Sequence, residues 1–281
     1  MAPHVEAILN FHRPRPEGAP RVLLDQDDMS RTNLELEPQN VRIHDARGNG
    51  AATLATSGFE LVKHATTVRD FQDRDEVREV YFPEVVALMK DLAGARDVLI
   101  FGEVLRSNDD GIRDQTKVVP ADEKRDRTRQ GVSASAHVDY DRASTEAYVA
   151  DIVGEAEAAK LLKRRFQLIN LWRGVAPVER SPLAVCDGRT VAPRDLVPWE
   201  IRRPVGPKLV HARSGYQIAF NPDQRWSYFP RMVPDELLLF TLCDSEPSAV
   251  QRVAHTAFDD PTTPDDAPPR TSFELRTICF F

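Results

Sequence analysis

Short apolar runs dominate the second half of the chain and predict a mainly β fold. They alternate with turn-forming residues in the way that strands of an antiparallel sheet do. The predicted strands are Phe166–Trp172, Leu183–Cys186, Leu209–His211, Tyr216–Phe220, Trp226–Phe229, Leu237–Leu242, Gln251–Phe258 and Ser272–Phe281. Many short strands joined by turns are typical of a sandwiched or closed sheet such as a jelly roll.

The first half of the chain contains further predicted strands. Two flanking helices are also predicted. Strands are predicted at Val41–His44, Phe59–His64 and Asp97–Leu105. Apolar residues at helical spacing over Glu76–Leu92 predict an amphipathic helix that covers a sheet. A second long helix is predicted over Ser144–Arg165, because Ser144 can cap its start and basic residues favour its negative end.

The chain of 281 residues has no Gly/Ser-rich linker, so we predict a single domain over residues 1–281. Residues 1–40 are rich in Pro, Arg and Asp and are predicted to wrap the surface irregularly, apart from a short strand at Arg21–Leu24. Residues 107–129 are charged and polar. This segment is interpreted either as a lid that orders over substrate or as a plain surface loop.

Composition argues against several classes of protein. The net charge of -7 disfavours a nucleic-acid groove. No apolar stretch approaches the roughly 20 residues of a membrane span, and the first residues lack the pattern of a secretory signal. The three cysteines are far apart, which indicates reduced thiols. We therefore expect a cytoplasmic protein that binds neither nucleic acid nor a membrane; the sequence leaves open whether it is a monomer or a homodimer.

A candidate metal site comes from His137, Asp139 and the distant His255. Residues two apart on a strand point the same way, so His137 and Asp139 can reach one ion. Two imidazoles and one carboxylate can hold a non-haem ferrous ion on one face and leave the other positions open for a cosubstrate and dioxygen. A second match, His4 to Glu6, lies in the first few residues, where a rigid site is hard to build.

The predicted last strand carries a candidate anion site. Strand alternation puts Arg270, Ser272, Glu274 and Arg276 on one face. An arginine fork with a neighbouring hydroxyl suits a carboxylate. The alternative is an edge strand with ordinary salt bridges. The spacing does not decide between Arg270 and Arg276 as the residue that holds the anion.

The order of H-x-D, distal histidine and R-x-S resembles that of the iron(II)/2-oxoglutarate-dependent oxygenases. Further segments are similar to the CmcJ-like group, which includes AsaB-type hydroxylases and desaturases of secondary metabolism. These segments are Asn170–Gly174, Pro182–Asp187, Tyr228–Met232, Asp244–Ser245 and Ala254–Phe258, and the resemblance runs from about Val41 to Phe281.

The resemblance implies a double-stranded β-helix in which His137, Asp139 and His255 hold Fe(II). It also implies that 2-oxoglutarate chelates the iron, and that Arg270, helped by Ser272, pairs with its distal carboxylate. Oxidative decarboxylation with dioxygen would give succinate and carbon dioxide while a C–H bond of the substrate is oxidised. Hydroxylation, desaturation and cyclisation all remain open, and the expected substrate is a small secondary metabolite or an amino-acid derivative.

Substrate contacts are predicted at Asn170, Trp172, Arg173 and Tyr228. Alternation separates Arg173 from the face of Asn170 and Trp172, and core packing explains each of the four residues at least as well.

Two other functions remain open at this point. A cupin-type metalloenzyme that does not use 2-oxoglutarate would keep the three metal ligands but would not need Arg270 and Ser272 as a clamp. A non-catalytic accessory partner of a biosynthetic methyltransferase would bind no iron. The sequence has no glycine-rich loop of the kind that cradles a nucleotide-like methyl donor, which argues against methyl transfer by the chain itself.

Overall fold

The computed structural model describes residues 3–25, 32–48, 52–108, 129–205 and 208–281, without the side chains of residues 202–212. The strands are β1 (His4–His12), β2 (Val22–Asp25), β3 (Leu36–Asp45), β4 (Phe59–Lys63), β5 (Asp97–Ser107), β6 (Arg129–Gln130), β7 (His137–Val138), β8 (Phe166–Gly174), β9 (Leu183–Cys186), β10 (Leu196–Val205), β11 (Lys208–Ile218), β12 (Trp226–Tyr228), β13 (Glu236–Asp244), β14 (His255–Ala257) and β15 (Thr271–Phe280).

The helices are α1 (Arg74–Glu76), α2 (Phe82–Ala93), α3 (Arg142–Val153) and α4 (Glu155–Leu161), with a π-helical turn at Val77–Tyr81 and 3₁₀ turns at Ala46–Gly48, Gly188–Thr190 and Pro193–Asp195. None of the helices in the described part of the chain is long and apolar enough to cross a membrane. The predicted lid at residues 107–129 lies outside the described residues, apart from its two ends.

Two sheets form the body of the structure. The nine-stranded sheet has the order β1-β3-β12-β9-β14-β7-β11-β10-β2, and the six-stranded sheet has the order β4-β13-β8-β15-β5-β6. Buried side chains of both sheets form one apolar cluster, which includes Val138 and Val185 from the first sheet and Leu168, Phe240 and Ile278 from the second. Because β14 lies beside β7, His255 is paired directly with His137. The topology thus joins segments that are far apart in sequence.

Helix α2 covers the outer face of the six-stranded sheet, as the amphipathic pattern predicts. Val85 and Met89 are fully buried against a cluster that includes Leu171 and Leu237. Each such side chain contributes about 1.5–3 kcal/mol by leaving water. The helical segment begins after Asp73, whose side chain accepts hydrogen bonds from two backbone N–H groups of α1.

The prediction that residues 1–40 are irregular is wrong for their first part. Strand β1 pairs antiparallel with β3 over its whole length, and Ala7, Leu9 and Phe11 on its inner face are buried. The alternation of these three residues is a strand signal, which the surrounding Pro and Arg residues obscured. The short strand predicted at Arg21–Leu24 is present as β2.

The single helix predicted over Ser144–Arg165 is two helices. Gly154 separates α3 from α4 and has a φ of 80°, a backbone conformation that favours glycine. The cap of α3 is also one turn earlier than predicted, because Asp141 accepts a hydrogen bond from the Ser144 N–H at 2.9 Å. Helix α3 therefore begins directly after the segment that carries Asp139.

Candidate metal centre and pocket

The structure brings together the three residues that the sequence selects as metal ligands. His137 Nε2 lies 3.5 Å from Asp139 Oδ1, and His255 Nε2 lies 3.9 Å from Asp139 Oδ2. One ligand atom from each residue falls within 4.8 Å of the other two, and all three residues are buried. Atoms bound to one ion at roughly 2 Å lie up to about 4 Å apart, so this donor set fits a metal ion with only small adjustment.

Backbone carbonyls orient both imidazoles. His137 Nδ1 lies 2.7 Å from the Ser135 carbonyl oxygen, and His255 Nδ1 lies 3.4 Å from the Val253 carbonyl oxygen. We assign the proton to Nδ1 in each ring because a carbonyl can only accept. Each Nε2 lone pair is then free for a metal. Burial, assisted by the neighbouring His137, lowers the pKa of His255 to about 3, so this ring is neutral.

Asp139 is held as a carboxylate by Arg276. The Arg276 Nη2 group donates a hydrogen bond of 2.9 Å to Asp139 Oδ2. Burial alone would raise the pKa of Asp139, but Arg276 and His137 outweigh it and keep that pKa well below its usual range. Arg276 also contacts Glu274 and donates to the Gly102 carbonyl at 3.0 Å. These protein groups engage both Nη atoms of Arg276 and only its Nε has no partner in the described structure, which favours Arg270 over Arg276 as the predicted 2-oxoglutarate residue.

A β-bulge in β5 explains why Arg276 has this role. The register between β5 and β15 shifts between Glu274 and Arg276. Gly102 lies at this shift with a φ of 71°, which favours glycine, and a side chain there would lie 3.3 Å from Arg276 Nη1. Bulges of this kind re-aim nearby groups. Here the bulge directs a carbonyl at Arg276.

Glu274 joins this centre to a neighbouring pocket. Arg106 Nε donates to Glu274 Oε2 at 2.7 Å, and Arg276 contacts the other carboxylate oxygen. Burial would raise the pKa of Glu274, but the two arginines lower it to about 2. Asp139, Arg276, Glu274 and Arg106 therefore form a continuous chain of buried charges.

The pocket beside the histidines contains Arg270. Its free volume is about 320 Å³, including the part that is open to solvent. It is lined by Arg106, Ser133, His137, Trp172, Leu183, Phe240, His255, Thr256, Ala257, Arg270 and Glu274. The candidate cation and two of the candidate metal ligands thus share one cavity.

Arg270 is a buried cation without an anionic partner. It is 2% exposed, and its Nη1 group donates to the Ser181 carbonyl at 2.5 Å. Among the described residues, no carboxylate lies within ion-pair distance of it, and its Nε is enclosed without a partner. Burial lowers the pKa of Arg270 to about 9; Arg106 acts in the same direction and Glu274 opposes them. An anion in the pocket would neutralise this group.

Ser272 presents a second unused polar group on the same face of β15. It is 1% exposed, and its hydroxyl has no hydrogen-bond partner within the described structure. An enclosed hydroxyl without a partner costs about 1–3 kcal/mol. The predicted pair of Arg270 and Ser272 is therefore available for a ligand.

The four predicted substrate residues have different surroundings. Trp172 lines the pocket, and the Arg270 guanidinium lies over its ring at 5.4 Å. Asn170 is 1% exposed, and neither amide atom has a partner in the part of the chain that is described. Tyr228 packs edge-on against Phe258 and does not line the pocket.

Arg173, also predicted as a substrate contact, is engaged by protein groups on the other face of β8. Its Nη2 group donates to His64 Nδ1 at 2.9 Å and to the His64 carbonyl at 2.8 Å, and its guanidinium lies over the Tyr81 ring at 4.9 Å. Tyr81 belongs to the cluster under α2. Arg173 is thus on the outer face of β8, which is the face that strand alternation indicates.

Sequence reasoning did not find Arg106, Gly102 or the role of Glu274. The alternation of the last strand does place Glu274 beside Arg270 and Arg276, and this signal could have been used. Arg106 lies opposite Ser272 only because β5 pairs with β15. That pairing cannot be read from either segment alone.

Comparisons with known proteins agree with this geometry. Residues 9–280 match the YDMC family model, described as an oxidoreductase/YMDC permease-like domain. The hydroxylase/desaturase efuI of Hormonema carpetanum is 30% identical over 100% of this chain and 96% of its own length. The alpha-ketoglutarate-dependent dioxygenase phiK of a fungal species is 31% identical over 99% of this chain and 96% of its own length.

A solved structure is also similar over the whole chain. It is that of the iron and alpha-ketoglutarate-dependent endoperoxidase NvfI, with a TM-score of 0.85, 30% identity and coverage of 100% of this chain and 99% of NvfI. The likeness confirms the predicted mainly β, double-stranded β-helix fold. The chain therefore belongs to the YDMC/AsaB-like hydroxylases and desaturases, a family of the iron(II)/2-oxoglutarate-dependent oxygenases.

Proposed function

We propose that His137, Asp139 and His255 hold a ferrous ion and that Arg270 and Ser272 bind the distal carboxylate of 2-oxoglutarate. The metal part rests on the donor set, two imidazoles and one carboxylate whose ligand atoms lie within 4.8 Å. Such a set suits ferrous iron and leaves positions open for a cosubstrate.

The observation that carries the 2-oxoglutarate assignment is the unpaired Arg270 in the same pocket as His137 and His255. A buried guanidinium is costly unless an anion compensates it. A dicarboxylate that reaches from the metal to Arg270 would provide that anion, and the free Ser272 hydroxyl would donate a further hydrogen bond to it.

When bound, the ferrous ion with 2-oxoglutarate and dioxygen would supply the oxidant for an unactivated C–H bond, with succinate and carbon dioxide as coproducts. The residues of the chain orient the metal ligands and set their protonation states. Arg276 keeps the Asp139 carboxylate ionised and fixes its rotation. The Ser135 and Val253 carbonyls keep both histidines in the tautomer that a metal needs.

The reaction we propose is hydroxylation or desaturation of a small secondary metabolite or amino-acid derivative. Relatives named as hydroxylase/desaturase and as alpha-ketoglutarate-dependent dioxygenase support this proposal. Among the residues predicted to contact substrate, Asn170 and Trp172 stay as candidates. Both leave β8 on its inner face, and Trp172 lines the pocket.

The geometry favours this function over the two alternatives. An accessory protein has no need of a buried ligand set, whereas His137, Asp139 and His255 converge. A cupin-type enzyme that does not use 2-oxoglutarate has no need of a buried cation such as Arg270 beside its metal. Both features together are what an oxoacid-dependent oxygenase requires.

Anaerobic titration with Fe(II) and 2-oxoglutarate tests the proposal. We expect the weak visible charge-transfer band of an iron-oxoacid chelate. Arg270→Ala should raise the apparent Kd of 2-oxoglutarate about 10- to 100-fold, because charge-assisted hydrogen bonds are lost, and it should leave Fe(II) affinity nearly unchanged. His255→Ala should lose iron while the fold is largely retained.

Arg173→Met is the matched control for Arg270→Ala. It also removes a buried guanidinium that lies over an aromatic ring, but on the outer face of β8, so the Kd of 2-oxoglutarate should not change. Absence of the band in a folded protein would favour the accessory role. An unchanged Kd in Arg270→Ala would remove Arg270 from the cosubstrate site.

A further inference from the structure

A second arginine–tryptophan pair lies in the sheet that carries His137 and His255. The Arg270 guanidinium lies over Trp172 at 5.4 Å, and the Arg213 guanidinium lies over Trp199 at 5.5 Å. In the first pair Trp172 belongs to β8 of the six-stranded sheet, and Arg270 directly precedes β15 of the same sheet. The second belongs to β11 and β10, which follow β7 in the nine-stranded sheet on the side away from β14.

Strand register puts the second pair on the face of the metal residues. Gln217 lies opposite His137, Gly215 lies opposite Trp199, and Arg213 lies opposite Ile201. Residues directly opposite each other in a sheet share a face, and so do residues two apart on one strand. Gln217, Gly215, Arg213 and Trp199 therefore share the face of His137.

Among the described residues no carboxylate forms an ion pair with Arg213, although Asp139 attracts its charge from a greater distance. The hydrogen bond of Arg213 goes to the Tyr140 hydroxyl at 3.3 Å, and its other close contacts are the rings of Tyr140 and Trp199. The residue as a whole is partly exposed. Aromatic rings stabilise a guanidinium but use few of its five N–H donors. Most of its donors are thus left for another molecule.

Two neighbours on the same face also have unused polar atoms. Trp199 is 2% exposed and Gln217 is 4% exposed. Neither the Trp199 indole N–H nor the Gln217 Oε1 has a hydrogen-bond partner among the described residues. Buried polar groups are nearly always satisfied in native proteins. Three adjacent residues with unused donors or acceptors, beside a metal centre, have the character of a ligand site.

We propose that Arg213, Trp199 and Gln217 form the substrate side of the centre and select substrates that carry an acidic oxygen, a carboxylate above all. This inference rests on the function proposed above. Arg213 would form charge-assisted hydrogen bonds with the acid, and the Trp199 N–H would donate to one of its oxygens. The Gln217 Oε1 would accept from a hydroxyl or N–H of the same substrate.

The anaerobic complex of the protein with Fe(II) and saturating 2-oxoglutarate provides the test. Its charge-transfer band reports the metal centre before any substrate-like compound is added. Benzoate, 3-phenylpropionate and octanoate are then titrated in parallel with their primary amides. We expect at least one acid to shift the band, with a Kd at least tenfold lower than that of its amide.

Arg213→Gln should abolish the preference for the acid, measured against the initial band of the variant itself. Arg213→Lys keeps the charge without the planar guanidinium, so it should weaken binding of the acid only partly. This variant remains informative if Arg213→Gln is unstable. Arg252→Gln is the matched control. Arg252 also lies over an aromatic ring, that of Tyr216 at 5.3 Å, but Tyr216 leaves β11 on the opposite face.

The outcomes separate the two proposals. Failure of the wild-type protein to form the band would count against the iron and 2-oxoglutarate assignment itself. A normal band that no acid shifts would overturn the role of Arg213, as would equal effects of acid and amide or an unaltered preference in Arg213→Gln. Loss of the band on addition of acid would show displacement of 2-oxoglutarate and would also overturn it.

Discussion

Arg276 Nη2 donates a hydrogen bond of 2.9 Å to Asp139 Oδ2, which links the last strand to a candidate iron ligand. The same guanidinium is fixed by the Gly102 carbonyl and by Glu274. Asp139 lies just beyond the end of β7, so strand pairing alone does not fix its side chain. Arg276 therefore determines how the carboxylate faces the two histidines.

Replacement of Arg276 should weaken metal binding. We expect Arg276→Lys to lower Fe(II) affinity about 10- to 100-fold, the usual effect of losing a group that orients a metal ligand. Lysine keeps the charge but cannot bond to Asp139, Glu274 and the Gly102 carbonyl at once. Anaerobic metal titration measures the change.

Arg276→Met separates orientation from stability. Loss of the buried charge leaves Asp139 and Glu274 without a shared cation, which costs about 3–5 kcal/mol of the free energy of unfolding. If Arg276→Lys bound Fe(II) as tightly as the wild type, Arg276 would be a structural residue without influence on the metal.

Ser272→Ala should weaken the binding of 2-oxoglutarate without lowering the stability of the protein. The Ser272 hydroxyl has no partner among the described residues, so its removal breaks no protein hydrogen bond. If it binds the cosubstrate, the loss of one hydrogen bond of about 1 kcal/mol raises the Kd of 2-oxoglutarate about fivefold. The band titration gives the Kd, and urea denaturation gives the stability. An unchanged Kd with unchanged stability would leave Ser272 without a role in binding.

Gly215→Ala should disturb the metal centre through the backbone. A Cβ at this position would overlap the Val138 carbonyl oxygen and lie 2.9 Å from the Asp139 carbonyl carbon and from Trp199 Cζ2. The segment that carries Asp139 must then shift. We expect a loss of about 1–3 kcal/mol of stability together with weaker Fe(II) binding in a metal titration.

Gly48→Ala is the control for this substitution. A Cβ on Gly48 meets nothing within 4 Å, so neither stability nor metal affinity should fall. If Gly215→Ala bound Fe(II) with unchanged affinity, the backbone around Asp139 could shift without weakening metal binding, and the prediction would be wrong.

The sequence predicted the parts of this site that depend on local patterns. Strand alternation, which is a property of a few residues, predicted the pair His137 and Asp139 and the shared face of Arg270 and Ser272. In the structure Asp139 and Arg270 lie one residue outside their strands. The convergence of His255 with His137 and Asp139 could be expected only through the family resemblance. The mainly β fold followed from the repeated short apolar runs.

The different contacts of Arg270 and Arg276 could not be predicted from local patterns. Arg276 lies on β15 and Arg270 directly precedes that strand, and the difference between them comes from β5. The register shift at Gly102 supplies Arg276 with a carbonyl partner, while Arg270 has no acidic partner in the described structure. Pairing between distant strands sets such contacts, and no local pattern encodes it.

His64 should make stability depend on pH at a place remote from the metal. Its Nδ1 accepts a hydrogen bond of 2.9 Å from Arg173, which requires a neutral ring. Burial and the Arg173 charge lower the pKa of His64 below its usual 6.5. The folded protein thus binds fewer protons than the unfolded chain below pH 6.5. The contribution of His64 to the free energy of unfolding is complete above pH 6.5 and is lost as the pH falls below that value.

Urea denaturation of the metal-free protein at pH 7.5, 6.5 and 5.5 measures this effect. Between pH 6.5 and 5.5 we expect the wild type to lose more stability than His64→Gln, which has no titrating ring. The difference is limited to about 1.4 kcal/mol per pH unit, the value for one proton. Arg173→Met removes the neighbouring charge and should reduce the pH dependence while His64 remains. If stability changed equally with pH in all three proteins, His64 would have the same pKa in the folded and unfolded states.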